Sequence, residues 1–158
     1  MKTYPRDVTV LFLRQSDKLL IAMKKRGFGK GKWNGVGGKV EPGETIEDAV
    51  VRETQEEIGV TPLKYEKVAV LNFKFDNHKQ AGDLQMRAHV YICTKWSGKP
   101  VETDEMRPKW VNLAGIPFNE MWSDDIYWLP VVLHGDKINA DIFFDGNDQV
   151  TTFSAKPL

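Results

Sequence analysis

The sequence predicts an α+β fold or mixed-sheet sandwich. Three observations predict it. Short runs rich in β-branched and aromatic residues recur along the chain, separated by polar turn clusters. Only two stretches, Glu44 to Ile58 and Asp124 to Leu133, read as helices. Strands and helices also fail to alternate as a doubly wound parallel sheet requires. At 158 residues the chain suits one domain, spanning 1–158, whose core needs neither disulfides nor structural metal.

The elements follow in order. Val8–Leu13 and Lys18–Met23 read as two strands around a Gln15-Ser16-Asp17 turn. Lys24 to Gly38 is a loop rich in glycine and basic residues. Glu44 to Ile58 contains no Gly or Pro and stops at Gly59, a common residue just past a helix end. Lys67–Phe75 and Met86–Trp96 read as strands, with polar Asp76–Gln85 as a mobile hairpin loop between them. Pro100 to Pro108 is acidic and irregular, and Trp110-Val111 is a short strand. The second helix takes Ser123 or Asp124 as N-cap and is kinked or delayed by Pro130. Ile138–Phe144 and Gln149–Ser154 form a last hairpin around Asp145-Gly146-Asn147.

Composition narrows the function. Lys+Arg and Asp+Glu stand at 22 each, so the net charge is zero. A protein that tracks nucleic-acid backbones carries a basic excess; a small or local anion is the better ligand. The single cysteine, Cys93, sits in an apolar run and reads as a reduced core residue. Val8 to Leu13, closed by Arg14, is too short for a signal-peptide core or a membrane span. The expectation is a cytoplasmic monomer that engages neither membrane nor nucleic acid.

The first helix carries the chemistry. At 100° per residue, Ile46, Val50, Glu53 and Glu57 share a face, with Ala49 beside them; Asp48, Arg52 and Gln55 fall on the opposite, polar face. A glutamate-rich helix is ordinarily a solvated stripe, but here two glutamates share the side of the apolar anchors. Glu53 and Glu57 form an i,i+4 like-charge pair, unfavourable by about 0.2–0.5 kcal/mol even when exposed. Glu56 and Glu57 lie in the last turn, where the helix dipole disfavours anions, and desolvation adds to the cost. A divalent cation offsets all three. Magnesium takes oxygen ligands and binds phosphate as well, which points to hydrolysis of a phosphoanhydride by an activated water.

The full string is Gly38-Lys-Val-Glu-Pro-Gly43-Glu44, seven residues, Arg52-Glu53, then Glu56-Glu57-Ile58-Gly59-Val60. It resembles the signature of the Nudix hydrolases, with Thr54 in a slot usually held by an aliphatic residue. The resemblance implies the Nudix fold, a mixed β-sheet sandwiched between α-helices, and attack of water on a diphosphate linked to another moiety. It implies Arg52, Glu53, Glu56 and Glu57 as catalytic residues. Mg2+, with Mn2+ able to substitute, would be held by the three glutamates and the carbonyl of Gly37 or Gly38. Arg52 would orient a glutamate, and Glu44 would support the loop. The spacing leaves open which glutamate is the general base.

Two further segments bear on the substrate. Met23 to Gly35 is a basic, flexible loop that ends in an aromatic and an amide, Trp33-Asn34. Met121 to Trp128 sets an indole beside two carboxyls, able to stack on a purine and bond its edge. Capping and core packing are the plain alternatives. In order and spacing, Thr9 to Pro130 resembles the animal MutT-type branch of the family, whose members hydrolyse oxidised purine nucleoside triphosphates such as 8-oxo-dGTP and so sanitise the nucleotide pool ahead of DNA repair. That resemblance implies substrate contacts at Thr9, Lys24, Asn34, Gly37, Gly38 and Lys39. Phe28, Phe73, Phe75 and Met106 would wall the pocket. Trp122 would stack on the base, Ser123, Asp124 and Asp125 would lie at its edge, and Glu105 would join the metal site from outside the helix. The implied partner is a free nucleotide. Two adjacent acids need not both ionise; exchanging which holds the proton would let one pocket accept 8-oxo-dGTP and 2-oxo-dATP.

Overall fold

A computed structural model describes residues 5–79 and 82–158. Eight strands and two helices follow in the order β1 Arg6–Gln15, β2 Lys18–Lys24, β3 Trp33–Asn34, α1 Ile46–Ile58, β4 Thr61–His78, β5 Gly82–Ser97, β6 Met106–Asn112, α2 Asp125–Leu133, β7 Ile138–Phe144 and β8 Val150–Pro157. The sheet order is β3-β2-β1-β5-β4-β7-β8, with β6 also paired to β2. β1 runs parallel to β5, and β4 parallel to β7; the other pairings are antiparallel. This is the mixed sheet flanked by helices that the sequence predicts.

Strand alternation assigns the helices to opposite faces. Leu11 and Leu13 of β1, with Tyr91 and Cys93 of β5, pack with Val50 and Ile58 of α1. Their neighbours Phe12, Val90 and Ile92 pack with Trp128, Leu129 and Val132 of α2. Cys93 is buried, as its apolar surroundings predict.

Several boundaries differ from expectation, each for a physical reason. The segment expected as a loop, Asp76–Gln85, is largely strand, because β4 and β5 continue pairing as far as His78 and Gly82; residues 80 and 81 lie outside the described residues. Backbone hydrogen bonding thus outweighs the polar composition that suggested a loop. β6 begins at Met106 and runs through Pro108, which an outer strand tolerates because it need not donate at every position. α1 starts at Ile46, with the Thr45 hydroxyl accepting the Asp48 N–H at 3.1 Å, and ends at Gly59 with φ 71°. Neither Ser123 nor Asp124 caps α2 by side chain. The Asp124 carboxylate instead accepts from Trp128 Nε1 at 2.7 Å, and the Ser123 hydroxyl donates to the Asp148 carbonyl at 2.8 Å.

One irregularity builds the site. β1 and β2 pair only at their shared end, Arg14 with Leu19 and Gln15 with Lys18. Where they diverge, the segment after β3 lies against β1 through bridges Leu11–Val36 and Val8–Lys39. Gly37 and Gly38 are thereby pressed onto Thr9, facing the glutamates of α1.

Candidate active site

The close approach at Gly37 and Gly38 requires glycine. A Cβ on Gly37 would lie 1.8 Å from the Thr9 carbonyl oxygen, and one on Gly38 would lie 2.6–2.7 Å from the Glu53 carboxyl atoms. Thr9 holds the turn from below: its N–H donates to the Gly38 carbonyl at 2.8 Å, and its hydroxyl lies 3.4 Å from the Gly38 nitrogen. Thr9 is therefore a strut for the glycine turn as well as part of the cavity lining.

Against this turn α1 presents Glu53 and Glu57. The Glu57 carboxylate accepts the Gly37 N–H at 3.1 Å and is only 4% exposed. Burial pushes its pKa up to about 8; the Gly37 hydrogen bond opposes the shift, and the charges of Glu53 and Glu105 reinforce it. Burial also raises Glu53, against the pull of the Arg52 guanidinium. Glu56 is more exposed and sits on Arg52 at 3.2 Å. Glu105 approaches from β6's leading edge and pairs with Arg26 at 3.3 Å.

Arg52 does not belong to a solvated face, as its helical position suggested. Its guanidinium grips Glu44 through two bonds of 2.7 and 2.9 Å, Glu53 at 2.9 Å, and the Lys39 carbonyl at 3.1 Å. The loop before the helix folds back over it, with Glu44 also accepting the Glu41 N–H. These bonds hold the Glu44 carboxyl down at about 2, the Arg52 hydrogen bond being the largest cause. Thr54 is fully buried, and its hydroxyl donates to the Val50 carbonyl at 2.7 Å, so the departure from an aliphatic residue leaves no orphaned group.

Among the described residues, no three His, Cys, Asp or Glu side chains already converge on one point as a metal cage. The donor chemistry nonetheless fits a hard cation. Burial disfavours the charged form of Glu53 and Glu57; Arg52 offsets this at Glu53 and Lys24 only weakly at Glu57, and a third carboxylate, Glu56, lies nearby. All the donors are oxygens.

A cavity of about 1010 Å³ opens beside the glycine turn. Of the residues implied for substrate contact, Thr9, Lys24, Phe28, Asn34, Gly37, Gly38, Lys39, Phe73, Phe75, Met106, Trp122, Asp124 and Asp125 line it. Ser123 does not; its hydroxyl is engaged with the β7–β8 turn. The cavity also uses Phe144, Leu84 and Met86, which the sequence reading leaves out or unassigned. Phe144 stacks on Phe75 at 4.5 Å and 6°. The only sequence signal for it is an aromatic in β7 at an inward register; the parallel pairing with β4 decides where it goes.

The two ends of the cavity differ in chemistry. Lys24, whose charge acts on Glu57, and Lys39, next to Gly38, line it by the glycine turn, whereas Lys32 Nζ lies over the Trp122 ring at 5.1 Å. Asn34 accepts the Gly35 N–H through its side-chain oxygen at 2.8 Å, which leaves the amide NH2 as its donating end. Asp124 and Asp125 are 1% and 2% exposed. Burial raises Asp124 to about 6, and raises Asp125 well above its usual range, with the adjacent Asp124 charge adding to the shift. Among the described residues, Asp125 Oδ2 is buried without a hydrogen-bond partner. A buried polar atom left unpaired is unfavourable by about 1–3 kcal/mol.

The family profile described as NUDIX domain matches residues 3–132. The chain belongs to the Nudix family. It is a hydrolase of the Nudix type, acting on phosphoanhydride bonds, and members of the family generally work with divalent cations. It is 41% identical over 143 residues to an oxidized purine nucleoside triphosphate hydrolase of Danio rerio, covering 90% of this chain and 89% of that one. It is 39% identical to a Mus musculus protein of the same description, covering 97% and 96%. A crystal structure of a MutT protein from Bacillus halodurans superimposes with a TM-score of 0.83 over 97% of this chain and 99% of that one; at 23% identity it speaks for the Nudix fold alone. No helix among the described residues is long and apolar enough to cross a membrane.

Proposed function

We propose that this chain is a Mg2+-dependent pyrophosphohydrolase that converts oxidised purine nucleoside triphosphates, of the 8-oxo-dGTP and 2-oxo-dATP type, to monophosphate and pyrophosphate. The observation that carries the reading is one cavity joining two chemistries. The glycine turn, with Glu53 and Glu57 packed directly against it, borders the cavity, and so do an aromatic wall and a buried acid pair. The relatives in fish and mouse that share most of the chain are described as oxidized purine nucleoside triphosphate hydrolases.

Glu53, Glu56 and Glu57, with a carbonyl of Gly37 or Gly38 and Glu105 across the rim, would hold the cation. When bound, it supplies Lewis acidity toward phosphate oxygens and acidifies a water. Arg52 keeps Glu53 oriented toward the glycine turn. Lys24, Lys39 and the basic loop attract the triphosphate. The glutamates share the duties of ligand and proton acceptor.

At the other end the base enters among Phe28, Phe73, Phe75, Met106 and Trp122. Asp124, which accepts from Trp128, is the acid better suited to ionise, and Asp125 is the one that keeps its proton. The pair then offers an acceptor and a donor, and a shift of the proton between them changes the pattern to suit a different oxidised purine.

The deciding experiment is a Mg2+-dependent panel with products identified. The reading expects kcat/KM for 8-oxo-dGTP to exceed that for dGTP by about 10²-fold or more, the discrimination that unpaired polar groups support. Equal values would move the assignment to a Nudix hydrolase of another nucleoside triphosphate or nucleoside diphosphate derivative. Asp124→Asn and Asp125→Asn should each alter the 8-oxo-dGTP to 2-oxo-dATP ratio and its pH profile. Two variants with wild-type selectivity would remove the acid pair from base recognition.

A further inference from the structure

The aromatic wall has a support that its own residues do not supply. Trp122 lines the main cavity and also a second one of about 380 Å³, which is further lined by His78, Gly146, Asn147 and Asp148. An indole bordered by two cavities is not held by close packing on all sides. Its ring meets Phe75 at 5.9 Å and Phe144 at 5.8 Å edge-on and lies under Lys32 Nζ at 5.1 Å, and Phe28, tilted at 5.1 Å, is its nearest ring neighbour, so the bracing of Phe28 contributes to its position.

That brace comes from the end of β4. His78 is buried, and its ring meets Phe28 edge-on at 5.3 Å and Phe75 at 5.6 Å. Its Nε2 is hydrogen-bonded to the Asp148 carboxylate in the β7–β8 turn. The same turn is tied to the segment that carries Trp122. The Ser123 hydroxyl donates to the Asp148 carbonyl at 2.8 Å and accepts the Val150 N–H at 3.0 Å. The β4 end and the turn also touch directly, since a Cβ on Gly146 would lie 3.0 Å from the Asn77 carbonyl oxygen. Residues distant in sequence thus form a closed circuit: His78 to Asp148, Asp148 to Ser123, Trp122 to Phe28, and Phe28 back to His78.

We infer that the His78–Asp148 pair is a latch that positions the Phe28–Trp122 wall of the base pocket, making His78 a specificity-determining positioning residue. The inference rests on the substrate reading above and deepens it. The described partners of His78 are Phe28, Phe75 and Asp148, on the side of the base pocket, so its effect belongs to base binding and not to the hydrolytic step. The latch also assigns a purpose to continuing β4 as far as His78: the extra strand length carries an imidazole to the back of Phe28.

The test compares wild type, His78→Ala, Asp148→Ala, the double variant and His78→Gln, each as the full chain with Mg2+. KM and kcat are measured on 8-oxo-dGTP and dGTP, with Tm alongside. A latch predicts that each alanine variant raises KM for 8-oxo-dGTP about fivefold, below the loss expected for removing a direct pocket contact, with kcat within about twofold. The two effects should not add in the double variant, because either change opens the same circuit. His78→Gln, which keeps a donor, should recover most of the affinity. A lowered Tm with unchanged KM and selectivity, or KM effects that simply multiply, overturns the latch. If wild type itself shows no preference for the oxidised base, the substrate reading is what fails; non-additivity of KM on whichever nucleotide is turned over still decides the latch.

Discussion

At Glu57, burial and neighbouring acids act in the same direction. Its folded pKa stands near 8, above the ordinary 4.5, so the native state holds its proton more tightly than the unfolded chain does. Stability of the metal-free protein therefore declines as pH rises from about 4.5 to about 8 and is level beyond, so far as this residue is concerned. Glu57→Gln removes that slope, because an amide has no charge to desolvate. In EDTA the variant should match or exceed wild-type stability at pH 8 by urea denaturation, while Mg2+-dependent kcat falls by about 10²–10⁴-fold. Loss of folding with retained turnover would contradict the assigned role. Thr54 offers a quieter check. Its hydroxyl bonds a helix carbonyl that the helix itself already engages, so Thr54→Val should stabilise by about 0.5–1 kcal/mol through the added buried methyl; a clear destabilisation would count against this account. At this scale the grouping of the glutamates and of the acid pair was legible in the sequence, since their spacing is local, while Asn34 was named only through the family resemblance. Phe144 and His78 were not legible, because their partners Phe75 and Asp148 are 69 and 70 residues away.

Among elements, α1 shows how far local rules reach. Thr45 caps one end, Gly59 closes the other, and Val50 and Glu57 fall on the buried side as the 3.6-residue period requires. Gly59 combines a left-handed φ of 71° with a neighbour, Val101 Cγ2, 3.2 Å from any added Cβ. Gly59→Ala should cost about 1 kcal/mol or somewhat more, read as a lower urea midpoint with unchanged slope; a neutral result would mean that the helix end relaxes freely. Arg52 marks the limit of the same rules. Its angular position is polar, yet the returning loop through Lys39 and Glu44 converts that face into an interior salt-bridge site. The strands β4 and β5 mark another, since their polar ends pair because each supplies the other's backbone partner.

For the whole molecule, the titrating groups pull stability in opposite directions. Glu44 has its carboxyl lowered to about 2, so its contribution is present above pH 4.5 and lost as pH falls toward 2. Glu57, Asp124 and Asp125 are raised, so their contribution declines as pH climbs from about 4 toward their folded values, about 6 for Asp124 and about 8 for Glu57. So far as these groups are concerned, metal-free protein should accordingly be most stable near about pH 4, where the rise from Glu44 gives way to the decline from the raised acids. Because a cation binds deprotonated carboxylates, the Tm gain from Mg2+ should grow between about pH 6 and pH 8; a gain independent of pH would separate cation binding from the glutamate cluster. The sequence by itself determined the α+β class, the two helices and the spacing of the Arg52–Glu57 cluster, because each follows from periodicity or from contacts within a few residues. Tertiary structure alone decided that β1 and β2 part to admit Gly37 and Gly38, that Phe144 and Met86 complete the cavity, and that His78 reaches Asp148 behind Phe28. Strand pairing brings together residues far apart in the chain, and no local pattern encodes which strands will meet.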